Sequence, residues 1–398
     1  MTAARSIQNS TLSVLRHPLD QENVIALYIT LKPLYFWKSG LPQISDVLLI
    51  LYVLYTVLIK RGKLKIPTFC IMIVCTLTGL VAYQALINLV WSVVVNEALY
   101  PTVLFYAFNE IALLFCLSLS SDIGVERLKQ SVINGCVLSC AVSLIGLGIG
   151  SYSLRGTSFF NNPNQLGYHG ILVLSLLISC MDASRPFKTL FITVSAIWLI
   201  VVSASKAALL GACGLLVLYL LLGQTNRKIK SKLMQVLLLL LVFGIIYLVF
   251  FSNNAHILAN ERIAFARSRI INMMAENDSA LGAGRGYDRI QEIGTHIIWG
   301  VGEGAYDRFT SLSGKELHST YGSIIVSYGI IGAMGYLLVL GRIVFARSPS
   351  VTMRNLIWMS GLLLYGVTHN GIRNTLLWVF FAVLLVAQQP ANDESESY

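Results

Sequence analysis

Apolar runs of seventeen or more residues recur from one end of this 398-residue chain to the other. A run of that length, wound as a helix, crosses the hydrocarbon core of a bilayer. In lipid the backbone must satisfy its own polar groups, so such a chain folds as a bundle of transmembrane helices. The charge content agrees: 56% of the residues are hydrophobic, only 12% are charged, and mean hydropathy is +0.70. A soluble chain carries about 25% charged residues, so this one has too few to cover a water-facing surface. No long polar domain interrupts the runs, and the reading is one transmembrane domain over 1–398. The first twenty or so residues are polar, with no short apolar core ending at a small-residue site, so no cleavable signal peptide is expected.

Twelve spans are expected, at 23–38, 42–59, 67–94, 100–119, 131–149, 165–181, 189–204, 206–222, 234–252, 320–341, 355–368 and 375–389. The net charge of +10 sits in short clusters between them, which is an orientation signal and not a nucleic-acid surface. Every even-numbered span up to the tenth leads into basic residues: Lys60, Arg61, Lys63 and Lys65, then Arg127 and Lys129, Arg185 and Lys188, Arg227 to Lys232, and Arg342 to Arg354. The odd-numbered spans lead into segments poor in such clusters. By the positive-inside rule both termini are cytoplasmic and the odd-numbered loops lie outside.

That alternation places the long segment 253–319, between spans 9 and 10, outside the cytoplasm. A loop of this length inside a compact protein is usually functional or disordered. Its mixture of Ile, Phe, Tyr and Trp299 with arginines is not that of a disordered segment, and 256–275 has the pattern of an amphipathic helix lying at the membrane surface. Positive charge is disfavoured outside, so Arg262, Arg267, Arg269, Arg285, Arg289, Arg308 and Lys315 need a reason. Two are open: solvated charge touching anionic headgroups, or a site for a phosphate-bearing substrate, whose oxygens match the guanidinium fork. Arg285 lies among glycines in Leu281-Gly-Ala-Gly-Arg-Gly-Tyr-Asp-Arg289, and Gly300-Val-Gly302-Glu303-Gly304 has the pattern of an anion nest of backbone N–H groups.

Other polar residues stand out against apolar surroundings. Lys206, in Ser203-Ala-Ser205-Lys206, is a functional candidate or a snorkelling side chain; a lysine at mid-bilayer costs roughly 2.5–3.5 kcal/mol on insertion scales. Glu110 needs a partner or a watery cavity. Lys32 and Asp46 read as a structural pair. His318, in Glu316-Leu-His318-Ser-Thr-Tyr321, stands where the long loop meets the tenth span, and a neutral imidazole there can take a proton from a hydroxyl nucleophile. Asn161, Asn162, Asn164 and Gln165, with His169, suit either sugar hydroxyls or a turn and cap. His369, Asn370 and Arg373 form a further polar group. All seven cysteines fall in apolar runs and read as buried, inert thiols. The chain lacks a P-loop, a dinucleotide fingerprint, metal-spaced Cys or His pairs and a G-x-S-x-G elbow, so no cofactor or metal is expected.

Taken in order, these segments resemble the O-antigen polymerase and O-antigen ligase superfamily of bacterial glycan assembly. Phe159-Phe-Asn-Asn-Pro163-Asn-Gln-Leu-Gly167 is similar to its F-x-N-P-N segment, and Ser203-Ala-Ser-Lys206-Ala-Ala-Leu-Leu-Gly211 to its S-x-S-R segment. Gly284-Arg285 through Gly304 resembles its Arg-bearing loop. Glu316-x-His318-Ser319 followed by Tyr328-Gly-Ile-Ile-Gly332 resembles its His signature. The early Lys32-Pro33 to Asp46 stretch is similar to the polymerase side. The resemblance covers about 160–335, with that early stretch added. It implies a GT-C-like, metal-independent glycosyltransferase of the bacterial inner membrane, acting on the periplasmic side. The donor would be a glycan on polyprenyl diphosphate and the acceptor a lipid-linked repeat unit, with a flippase and a chain-length regulator as further partners.

Carried over, Arg285 and Lys206 are diphosphate ligands and His318 is the base or the group that orients the acceptor. Arg289 is an alternative to Arg285. Substrate contacts are expected from Asn162, Asn164, Gln165, Glu303, Glu316, Tyr321, His369 and Arg373. Lys206 departs from the family, which commonly has Arg there; it keeps the charge and loses the fork. A ligase using lipid A–core as acceptor is the first alternative and a flippase of lipid-linked sugars the second. Charge concentrated in one outer loop, and not strung through the spans, favours one-sided catalysis over transport.

Overall fold

The computed structural model describes residues 20–37, 42–59, 64–149, 155–180, 185–222, 286–310, 316–346 and 349–387, with isolated positions between 261 and 268. Among them the regular structure is helical throughout: α1 (Val24–Leu31), α2 (Ile44–Leu54), α3 (Ile71–Val95), α4 (Val103–Ile123), α5 (Val125–Ile149), α6 (Pro163–Cys180), α7 (Pro186–Ser203), α8 (Lys206–Leu222), the short α9 (Arg289–Glu292), α10 (Thr320–Val344), α11 (Pro349–Thr368) and α12 (Thr375–Val386). Five stretches, Thr68–Val95, Tyr100–Ile123, Val125–Ile149, Pro186–Ser203 and Thr320–Val344, are long and apolar enough to cross a membrane. The ninth expected span, most of the 256–275 helix, Arg285 and Lys315 lie outside the described residues.

Helix ends follow local chemistry. Pro186 starts α7, where its missing N–H costs nothing. Ser319 and Asn374 cap α10 and α12 by accepting from the N–H of Gly322 and Leu376. Gly124, at φ +83, alone links α4 to α5, so α5 begins at Val125, earlier than the 131 expected. The first expected span is corrected. α1 has eight residues, about 12 Å at the usual helical rise, well short of a bilayer core. It stops before Pro33, and the chain turns there so that Lys32 Nζ meets Asp46 Oδ1 at 2.7 Å, both side chains buried. This is the expected structural pair.

The chain forms two compact units. The first holds α1, α2 and α5 to α8. Its helices approach closely at small residues, as membrane helices do. A Cβ on Gly135 would lie 2.9 Å from the backbone of Ala26, and Ser131 Oγ accepts the Ala26 N–H at 3.1 Å. The second unit holds α3, most of α4, residues 286–310, α10, most of α11 and α12.

In the second unit α10 is broken. Gly329 has φ 65 and ψ −167, a conformation open only to glycine. The break frees backbone groups about 13 Å along the helix, where lipid offers no hydrogen bonds. The loop supplies them. Val301 N–H donates to Val326 O at 3.0 Å, Gly302 N–H to Ser327 O at 2.8 Å, and Ile331 N–H to Ile298 O at 3.3 Å. Tyr83 Oη donates to Tyr328 O at 3.1 Å. Residues 298–302 therefore run beside the helix as a re-entrant strap.

Candidate functional site

The expected site residues fall into two groups, one in each unit. The group in the second unit centres on Glu303, which is 1% exposed. Its N–H donates to Asn88 Oδ1 at 2.8 Å, and its carboxylate accepts from Tyr106 Oη and, at 2.9 Å, from Arg373 Nη2. Arg373 also meets Glu316 at 3.1 Å and Tyr306 Oη at 3.4 Å. Asn370 Nδ2 donates to Glu316 Oε1 at 2.8 Å. Glu303, Glu316, Asn370 and Arg373 are thus one network. Asn88, Tyr106 and Tyr306 join it although the sequence reading missed them. Asn88 carried a legible signal, as an amide in the middle of an apolar helix.

Burial pushes the Glu303 carboxyl above its ordinary value, with Arg373 opposing. Burial also works against the charge on Arg373, but Glu303 and Glu316 outweigh it and hold its pKa well above the usual value. Tyr306 is pushed up to about 12 by burial.

The glycine run does not form the expected anion nest. The N–H groups of Val301, Gly302 and Glu303 go to Val326 O, Ser327 O and Asn88 Oδ1. The glycines serve close packing instead: a Cβ on Gly300 would lie 2.4 Å from the backbone of Ser327. Two loop arginines are enclosed. Arg289 is fully buried, its guanidinium 5.5 Å from the Tyr306 ring centre and 5.6 Å from that of Phe309. Arg308 lies over Trp91 at 5.3 Å and donates to the carbonyls of Val301 and Gly302. Burial lowers the pKa of both arginines.

His318 is exposed at the start of α10. Nearby, Tyr321 Oη donates to Leu363 O at 3.0 Å, and His369 stacks on Tyr365 with centroids 5.0 Å apart. Glu110, expected to need a partner, accepts from Thr78 Oγ1.

The group in the first unit joins the Asn-Pro-Asn and Ser-Ala-Ser-Lys segments. Asn162 Oδ1 accepts the Asn164 N–H at 2.8 Å and its carbonyl accepts from Gln165 N at 3.0 Å, so Asn162 organises the start of α6. A Cβ on Gly167 would lie 2.7 Å from Ser203 Oγ and 2.8 Å from Ala208 Cβ, which brings α6 onto the α7–α8 turn. Ser203 Oγ accepts from Ser205 N and Ser205 Oγ from Ala208 N, shaping the turn that presents half-buried Lys206 as the first residue of α8. Arg155, which the sequence reading passed over, binds both segments. The cysteines are free thiols, and Cys75 is exposed on α3 where burial was expected.

The segments assigned outside by loop charge meet within each unit: 36–37 and 43 with 155–164 and 203–206 in the first, 88–102 with 298–303 and 369–373 in the second. The fold defines an all-α, multi-spanning membrane protein. Comparison with family models, curated proteins and solved structures returns no match.

Proposed function

We propose that the protein is a polysaccharide polymerase of the bacterial inner membrane. It transfers a glycan from polyprenyl diphosphate onto a lipid-linked repeat unit on the periplasmic face. The observation that carries this reading is the Glu303–Arg373–Glu316–Asn370 network, where the long loop meets the segment between α11 and α12, with exposed His318 two residues from Glu316. Carboxylates and an amide around one guanidinium make a poor phosphate site, because two carboxylates answer a single cation. They make a good surface for sugar hydroxyls, which both donate and accept. The network is therefore assigned to the acceptor.

The acceptor hydroxyl attacks the anomeric carbon in line and inverts it. Its proton passes to His318, the new C–O bond forms, and the bond to the diphosphate oxygen breaks. By the resemblance, Lys206 and Arg285 are the cations that offset the charge developing on the leaving diphosphate. Arg289 is enclosed by Tyr306 and Phe309 and is assigned to packing within the loop. Lateral entry of the lipid tail between spans, with the loop as a lid, fits this scheme.

Deleting the gene and resolving surface and lipid-linked glycans on a gel tests the reading. Lipid A–core capped with a single repeat, with the ladder lost, is expected. Long glycan held on polyprenyl diphosphate over bare core would make the protein a ligase instead. Repeats trapped on the cytoplasmic side would make it a flippase, and an unchanged profile would remove it from glycan assembly.

A further inference from the structure

We infer that Phe36 and Trp37, between α1 and α2, form a platform on which sugar rings stack, a glycan-binding site in the first unit. Both rings face outward: Phe36 is 64% exposed and Trp37 45%. Their centroids lie 6.5 Å apart with the planes inclined at 58°, so the rings do not stack on each other. Tyr35, the residue before them, is turned inward against Phe160, with centroids 5.0 Å apart. Two exposed amides, Asn161 and Asn162, come to the same place, because Asn161 Nδ2 donates to Trp37 O at 2.6 Å.

The backbone that carries the rings is clamped. The N–H groups of Phe36 and Trp37 donate to Gln43 Oε1 at 3.0 and 3.3 Å, and Gln43 Nε2 donates to Trp37 O at 3.3 Å. Gln43 is itself buried and fixed: its N–H donates to Asp46 Oδ2 at 2.9 Å, and Asp46 is held by Lys32. The buried Lys32–Asp46 pair therefore supports, through Gln43, two aromatic rings at the surface. A ring that only anchors a chain in the headgroup layer needs no such clamp, because an aromatic side chain serves anywhere in that layer. A ring that receives a ligand gains from it, since rigidity lowers the ordering cost of binding. The surroundings name the ligand. A pyranose carries C–H groups on one face and hydroxyls at its rim. The C–H groups are electropositive and suit the negative face of an aromatic ring, and side-chain amides both donate to hydroxyls and accept from them. A lipid tail would use the rings and leave the amides idle.

This assignment rests on the glycosyltransferase reading for taking the ligand to be the glycan of that reaction, while the stacking site itself stands on the geometry. The test uses the full-length protein in phosphatidylcholine nanodiscs, titrated with oligosaccharide released by mild acid from the host's surface polysaccharide and followed by calorimetry. Saturable binding is expected, weakened by about tenfold in Trp37→Ala and by less in Trp37→Phe, which keeps a ring. Trp37→Leu, which keeps apolar bulk and loses the ring, is expected to match Trp37→Ala. The Tm of all three should stay at the wild-type value, because the side chain lies at the surface. A wild-type protein that does not bind the oligosaccharide, or a Trp37→Leu protein that binds it like wild type, overturns the assignment. Loss of binding accompanied by a lower Tm in every variant overturns it as well, since Trp37 would then be a packing residue. If binding depends on Trp37 but deleting the gene leaves every glycan unchanged, the stacking site survives and the polymerase reading falls. If the ladder is lost on deletion while Trp37→Ala binds the oligosaccharide normally, only the stacking assignment falls.

Discussion

The N–H of Gly302 donates to the carbonyl of Ser327 at 2.8 Å, so a residue of the long loop completes the hydrogen bonding of a membrane helix. Helix α10 breaks at Gly329, and the loop strap 298–302 occupies the gap. Non-helical backbone at membrane depth is tolerated where protein covers it. Here the strap provides the cover and also carries Glu303 inward to Arg373. The helix break and the placement of the carboxylate are one structural device.

Gly329→Ala is expected to cost about 3 kcal/mol, from the forced backbone conformation and the collision with Ile298 O. A Cβ there would lie 2.3 Å from that oxygen. Gly300→Ala is expected to be similarly harmful. Gly341→Ala, in the same helix with open space around it, is expected to be neutral or mildly stabilising, since alanine is the better helix former. Melting of the three variants in matched discs checks this. Equal losses at 341 and 329 would mean that the strap does not seat in the break.

Arg373→Ala is expected to destabilise strongly, by about 3–5 kcal/mol, because it leaves a buried carboxylate without its cation. Glu303 is 2% exposed at its side chain. Adding Glu303→Gln to Arg373→Ala should recover a good part of the loss, since a neutral amide tolerates burial. A double-mutant cycle in denaturant measures the coupling. Strictly additive effects would show that the pair is not coupled.

The same pair predicts a pH dependence. Burial raises the Glu303 pKa above its ordinary 4.5. A carboxyl whose pKa rises on folding holds its proton more tightly when folded. Its contribution to stability is complete below pH 4.5 and is lost as pH climbs through the folded value. The wild-type Tm should therefore fall relative to that of Glu303→Gln as pH is raised from 4.5. Parallel melting curves for the two proteins across that range would exclude the shift.

Much of the helical frame was legible because apolar length is a one-dimensional signal. The 206–222 span coincides with α8, and the Lys32–Asp46 pair follows from two opposite charges in neighbouring apolar runs. α1 was overread, since hydropathy counts residues and does not register that Lys32 is held by Asp46 at the end of an eight-residue helix. The glycine run at 300–304 was singled out for the wrong reason. Sequence shows that backbone can come close there, but not that a broken α10, and no anion, is what approaches. Arg155 left no mark because its contacts with the Ser203 carbonyl and the Asn164 amide are neutral and match no motif. Tyr106 was hidden by the apolar run around it, whereas Asn88, an amide inside such a run, could have been found.

His318 offers the cleanest separation of chemistry from stability. Its side chain is exposed, and the cap of α10 comes from the neighbouring Ser319, whose Oγ accepts from Gly322 N at 3.2 Å. His318→Ala should therefore leave stability within about 0.5 kcal/mol of wild type, as for other surface substitutions. If the imidazole takes the acceptor proton, the transfer rate should fall by about 100- to 10,000-fold, the usual range for losing a general base. In cells the glycan ladder would shrink to single repeats while the protein remains at its normal level. Ser319→Ala should do the reverse, lowering stability by about 1 kcal/mol through loss of the cap and leaving the rate per folded molecule unchanged. A full ladder with His318→Ala would remove this histidine from the reaction and move the search for the base to Glu316, which meets Arg373 at 3.1 Å with its side chain 32% exposed.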